Sequence, residues 1–133
     1  MAHIEHVAIW TKDLERLRAF YETYFHARAG EKYTNPLKQY ESYFLTFAGG
    51  WLLELMSSPA IPASLDSPMA QFTGYIHIAL ALESEALVDV LTLRLRQDGY
   101  IVVSDPRLTG DGYYESVILD PDGNRVEIMK RPP

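Results

Sequence analysis

The stretch "GNRVEIMK", residues 123–130, reads as a short strand, because Val126, Ile128 and Met129 are apolar. Glu127 stands at its centre. A carboxylate buried without a partner costs several kcal/mol even after relaxation. Glu127 must therefore face water or be held by a positive group. An earlier stretch poses the same problem: "LLELM" (52–56) matches "RVEIM" (125–129), with Glu54 and Glu127 73 positions apart. A second match lies upstream of each. "IEHVAIW" (4–10) aligns with "YIHIALA" (75–81) around His6 and His77, which are 71 positions apart. A repeat of this length, with the same special residues at equivalent places, indicates one module used twice.

The segments between these anchors repeat in the same order. "HIEHVAIWT" (3–11) is a strand by its apolar and β-branched content. In "KDLERLRAFYETYF" (12–25), Leu14, Leu17, Phe20, Tyr21, Tyr24 and Phe25 recur at helical spacing, with Thr11 or Asp13 as the cap. Three strands follow, in "ARAGEKYT" (27–34), "ESYFLTFA" (41–48) and "WLLELMS" (51–57), the last two joined by a hairpin at Gly49-Gly50. The proline-rich "SSPAIPASLDSPMAQFTG" (57–74) interrupts the pattern as a linker or covering loop. The second pass is strand 75–82, helix 84–99 ending at Gly99, and strands in "YIVVSDP", "YYESVILD" and "NRVEIMK", with "DPDG" (120–123) turning between the last two. The expectation is α+β: βαβββ modules at about 1–58 and 75–133, linked by 59–74, with a helix on the outer face of each sheet and the other face left to curve around a site.

Composition sets the class. The chain has 133 residues, enough for one domain with a sizeable core. Its net charge is −6 and its pI near 5.1, which argues against nucleic-acid or anionic-membrane partners, since both need a basic face. With no cysteine, disulfides, thiolate nucleophiles and Cys-ligated zinc are excluded. The start, "MAHIEHVAIW", has no basic region before an apolar run, and no apolar stretch approaches a membrane span. The expectation is a cytoplasmic protein.

Each module carries one histidine in its first strand and one glutamate in its last. Side chains alternate along a strand, so His6 shares a face with Ile4, Ala8 and Trp10, and His77 with Tyr75, Ala79 and Ala81. Glu54 likewise lies with Leu52 and Met56, and Glu127 with Arg125 and Met129. A lone strand histidine is more often a hydrogen-bonded core residue than a ligand, and a lone strand glutamate more often faces solvent. The recurrence of both types in both modules carries the argument. If a pseudo-twofold relates the modules, His6, Glu54, His77 and Glu127 converge on one divalent metal ion. Zn, Ni and Co come first, with Mn and Fe(II) as further options. The metal would also neutralise the two carboxylates.

On these residues the sequence resembles the vicinal oxygen chelate superfamily. That family includes glyoxalase I, fosfomycin-resistance thiol transferases, extradiol dioxygenases and methylmalonyl-CoA epimerase. The resemblance runs from "IEHVAIWTKDLERLRAFY" through "WLLELM" and "YIHIAL" to "DPDGNRVEIM". It implies paired βαβββ modules forming a cup around a metal, with His6, Glu54, His77 and Glu127 as ligands. The His-Glu-His-Glu set is similar to that of glyoxalase I. Dioxygenases and fosfomycin enzymes typically lack a carboxylate at the position of Glu54, and epimerases commonly place Gln there. Glyoxalase I usually has an Arg four residues after the first His and an Asn four after the first Glu, both of which help bind glutathione. Here those positions hold Trp10 and Ser58, so weak or no activity with glutathione is expected.

The implied chemistry is that of a lyase or isomerase. A small substrate with two adjacent oxygens chelates the metal, which stabilises an enediolate as a Lewis acid. A carboxylate moves the carbon-bound proton to the neighbouring carbon. Resemblance to glyoxalase I makes Glu127 the first candidate for that base and Glu54 the second. Trp10, Arg107 and Tyr113 are candidates for substrate contacts. The polar stretch "SDPRLTGDGYY" (104–114) reads as a loop able to close over a site. Tyr43 and Tyr114 are further wall candidates. His3 is a rival to His6 without a counterpart in the second module, and His26 is expected to face solvent. The resemblance implies a homodimer, with each site built from one chain or from two. The rival functions are a ligand-sequestering protein of the bleomycin-resistance kind, a thiol transferase and a dioxygenase.

Overall fold

Strand β1 (His6–Trp10) leads into helix α1 (Leu14–Phe25) through a side-chain cap. Asp13 Oδ1 accepts from the Arg16 N–H at 3.0 Å, and Thr11 Oγ1 accepts from the Asp13 N–H at 3.0 Å. Asp13 is thus the cap, and Thr11 holds the approach to it. The helix ends at His26, which adopts the left-handed conformation with φ 56°. A computed structural model describes residues 1–133, and the chain divides into two compact units, Met1–Ser64 and Leu65–Pro133.

In the first unit, α1 packs on a mixed sheet ordered β1-β5-β4-β2, with β3 also pairing β4. The remaining strands are β2 (Arg28–Ala29), β3 (Tyr33–Asn35), β4 (Tyr40–Thr46) and β5 (Leu52–Ser57). β1 runs parallel to β5, and the other pairings are antiparallel. Leu17 and Tyr21 of α1 are fully buried against Leu45 and Leu55 of the sheet. Each such side chain contributes about 2 kcal/mol on leaving water. Where one strand was expected over 27–34, there are two short ones. Ala29 faces Leu45 and Tyr33 faces Ser42, so the β2–β3 side carries one residue more than β4 between these pairs. That extra residue breaks the ladder in the manner of a bulge. The Gly49-Gly50 hairpin forms as expected, both glycines at positive φ (81° and 83°), in a 3-10 turn over Ala48–Gly50.

The second unit repeats the plan. β6 (His77–Ala81) is followed by α2 (Glu85–Gln97), β7 (Val102–Leu108), β8 (Tyr114–Leu119) and β9 (Arg125–Lys130), in the sheet order β6-β9-β8-β7. Again the first strand runs parallel to the last. Ser84 Oγ caps α2 by accepting from Leu87 N–H at 3.2 Å. Gly99, at φ 94°, terminates it, its N–H donating to the Arg96 carbonyl. Val88, Thr92 and Leu95 pack on Ile118, Val126 and Ile128. The buried Thr92 Oγ1 bonds both the Val88 carbonyl and Ser116 Oγ, at 2.7 Å each. At the "DPDG" turn, Asp120 Oδ1 accepts from the N–H groups of Asp122 and Asn124, both at 2.9 Å, while Oδ2 takes the Asn124 side-chain amide at 2.8 Å.

One expectation is corrected in this unit. β7 runs on to Leu108, past the strand expected to end at Pro106, so of the polar stretch 104–114 only 109–113 is loop. β7 is an edge strand, where Pro106 needs no ladder partner for its missing N–H. Its register with β8 shifts twice, between Val102 and Ser104 and between Ser104 and Arg107. An irregular strand of this kind is polar in letters and extended in backbone.

Candidate metal centre

The two units place their histidine and glutamate in the same register. Ala8 pairs with Glu54 across β1 and β5, and Ala79 with Glu127 across β6 and β9. In each case the histidine lies two residues before that alanine, on the sheet face opposite the helix. A histidine ring then spans the distance to the glutamate on the neighbouring strand. His6 Nε2 lies 3.5 Å from Glu54 Oε1, and His77 Nε2 lies 3.2 Å from Glu127 Oε2. The glutamate side chains are only 14% and 17% exposed, while the histidines are 36% and 33% exposed. Neither glutamate simply faces water.

The donor geometry fits a metal. Ligand atoms about 2.0–2.2 Å from one ion lie roughly 2.8–3.6 Å apart at octahedral to tetrahedral angles, a range that includes the two observed separations. Imidazole nitrogen and carboxylate oxygen together suit Zn, Ni, Co, Mn or Fe(II). No group of three or more His, Cys, Asp or Glu side chains in the chain is arranged to hold a metal ion. Each unit brings together one histidine and one glutamate.

The two pairs differ in their surroundings. In the first unit the Phe44 ring lies edge-on to His6, centroids 5.1 Å apart at 81°, as the cross-strand partner of Glu54. Glu5 Oε2 meets His6 Nδ1. This hydrogen bond, with the nearby charges of Glu5 and Glu54, raises the His6 imidazole above its ordinary value against the opposing effect of desolvation. In the second unit the extra group is Glu115. It faces Met129 on β9, one step along the same sheet face from Val117, which pairs with Glu127. Burial pushes the Glu115 carboxyl up, as do its hydrogen bond to the Glu127 carboxyl and the Glu127 charge; Arg107 opposes them. Sequence reading passed over Glu5, Phe44 and Glu115. Glu5 was signalled only by its adjacency to His6. Glu115 was signalled by the hairpin register that the "DPDG" turn imposes.

The other candidates are scattered. Trp10 ends β1 on the His6 face and is 45% exposed. Arg107 stands on β7 as the register partner of Glu115 and acts on that carboxylate. Tyr113 precedes β8, where its backbone N–H and carbonyl both bond Thr109. Tyr43 and Tyr114 point to the helix side: their hydroxyls donate to Glu15 of α1 at 2.7 Å and Asp89 of α2 at 2.6 Å. They are helix-to-sheet ties and not walls of the centre. Ser58 is nearly buried and accepts from the Ala60 N–H through its hydroxyl. His3 lies outside β1, and His26 is exposed at the helix end.

Solved structures share this fold. A glyoxylase/bleomycin resistance protein/dioxygenase domain from Frankia sp. EAN1pec superposes with a TM-score of 0.81 at 18% identity, covering 98% of this chain and 92% of that one. The trypanothione-dependent glyoxalase I of Leishmania major gives 0.75 at 22% identity, over 98% and 87%. The fosfomycin resistance protein FosX of Listeria monocytogenes, complexed with Mn(II) and sulfate, gives 0.73 at 20% identity, over 98% and 93%. No curated protein sequence matches the chain. The family model described as Glyoxalase/Bleomycin resistance protein/Dioxygenase superfamily matches residues 3–128. With that match over almost its whole length, and with a βαβββ plan in each unit, the chain belongs to the glyoxalase/bleomycin resistance protein/dioxygenase superfamily.

Proposed function

We propose that the protein is a divalent-metal-dependent lyase or isomerase of the glyoxalase I type, acting on a small substrate with adjacent oxygens. The observation that carries this reading is the duplicated pair: a histidine nitrogen within 3.5 Å of a shielded carboxylate, at the same register in both units. His6, Glu54, His77 and Glu127 would hold the ion. Two ligands are too few for a closed site, so each pair would need further donors, and a homodimer is one source of them. A bound ion supplies Lewis-acid stabilisation of negative charge on substrate oxygen.

The side chains do the rest. Glu127 takes the proton from the substrate carbon and returns it to the neighbouring one, with Glu54 as the second candidate. His6 and His77 stay as ligands throughout. Trp10 lines the face around His6. Arg107 and Tyr113 remain candidates for substrate contacts from β7 and the loop that follows it. The acidic, cysteine-free composition fits a cytoplasmic enzyme.

Metal analysis of protein purified without chelators tests the reading. Less than about half an equivalent of divalent metal per chain would favour a ligand-sequestering protein instead. Methylglyoxal assayed with glutathione and then with other thiols tests the substrate, and we expect weak or no turnover with glutathione. Sedimentation velocity tests the homodimer.

A further inference from the structure

Neighbouring residues within a strand point to opposite faces. β1 begins only at His6, so Glu5 lies outside that alternation and its carboxylate turns back onto the ring of the next residue. Glu5 Oε2 meets His6 Nδ1, while His6 Nε2 faces Glu54 Oε1 at 3.5 Å. A different carboxylate therefore stands at each ring nitrogen. An acceptor at Nδ1 places the ring proton there and leaves the Nε2 lone pair free to coordinate. At the matching position of the second unit stands Ile76, which is apolar and 58% exposed. The His77 ring has its carboxylate, Glu127, at Nε2. The two histidines share type and register but not the group that orients them.

We propose that Glu5 is a positioning residue for His6. It fixes the Nδ1-protonated tautomer and presents Nε2 to the metal. This rests on the metal reading above. Glu5 is 62% exposed, so water screens the Coulomb part of the contact; its value lies in direction.

Co(II) titration against a competing chelator, on the full chain, tests this. Glu5→Ala is expected to weaken Co(II) binding about 10- to 100-fold, the usual cost of removing a carboxylate behind a ligating histidine. Glu5→Gln should lose less, because its amide oxygen still accepts from Nδ1–H; equal losses in the two variants would overturn the hydrogen-bond assignment. Long-range 1H–15N spectra of the metal-free protein, with the ring neutral, should show His6 protonated at Nδ1 in the wild type but not in Glu5→Ala. Finding His6 protonated at Nε2 in the wild type overturns the proposal. If Glu5→Ala binds within about twofold of wild type while His6→Ala does not bind, the role of Glu5 falls and the metal centre stands. If His6→Ala also binds like wild type, the metal centre itself falls.

Discussion

Glu54 and Glu127 hold the same register position, yet only Glu127 has a second carboxyl against it. Glu115 is held above the ordinary carboxylate value of 4.5, first by burial and then by its hydrogen bond and charge interaction with Glu127. A raised folded value means that the folded state binds the proton more tightly. The stabilisation is complete below the unfolded value and is lost as pH rises through the folded one. Glu115→Gln removes that dependence. It should stabilise the metal-free protein near neutral pH by about 0.5 kcal/mol, the scale of one diagonal like-charge contact between neighbouring strands, and the gain should vanish at acidic pH. Thermal melts of both proteins across that range measure it. Glu127→Gln should keep the fold, weaken metal binding and abolish proton exchange at the substrate carbon. Exchange at the wild-type rate, followed by deuterium incorporation, would show that the base lies elsewhere.

At the scale of elements, two small polar devices hold the sheet face in register. Asp120 accepts three hydrogen bonds within the β8–β9 turn, and that turn sets Val117 opposite Glu127. Asp120→Ala should cost about 2 kcal/mol in urea denaturation. Thr92 ties α2 to β8 through Ser116, which is fully buried. Thr92→Val keeps the volume but strands the Ser116 hydroxyl, and should cost about 1–3 kcal/mol. The elements themselves were largely legible, because Leu14, Leu17, Phe20 and Tyr21 recur at helical spacing and "DPDG" can only turn. β2 and β3 were not, because a one-residue bulge leaves no mark in composition. β7 was mistaken in part for a loop, because an edge strand tolerates the proline and polar residues that usually signal one.

For the molecule as a whole, the proposed metal would link binding to folding. An ion that binds only the folded protein stabilises it by about 2.7 kcal/mol at a concentration one hundredfold above Kd. Chelation should therefore lower Tm, and Co(II) or Zn(II) should restore it in the wild type. His77→Ala should melt like the chelated wild type and gain nothing from added metal. An unchanged Tm on chelation of metal-loaded protein would remove the metal from the stability of the fold.

The repeat, the helix spacing and the turn signals in the sequence were enough to determine two βαβββ modules and their duplicated His and Glu positions. These are local or periodic properties, written in residue type and spacing. Only the tertiary structure decided that each histidine reaches its own glutamate, that Glu5 stands behind His6 and Glu115 beside Glu127, and that Tyr43 and Tyr114 serve the helices. Such contacts depend on strand register and on which face a side chain takes, and a one-residue shift reverses both. Glu127, which opened as an unexplained charge in an apolar strand, thus has two neighbours, a histidine from the parallel strand and a carboxyl from the antiparallel one.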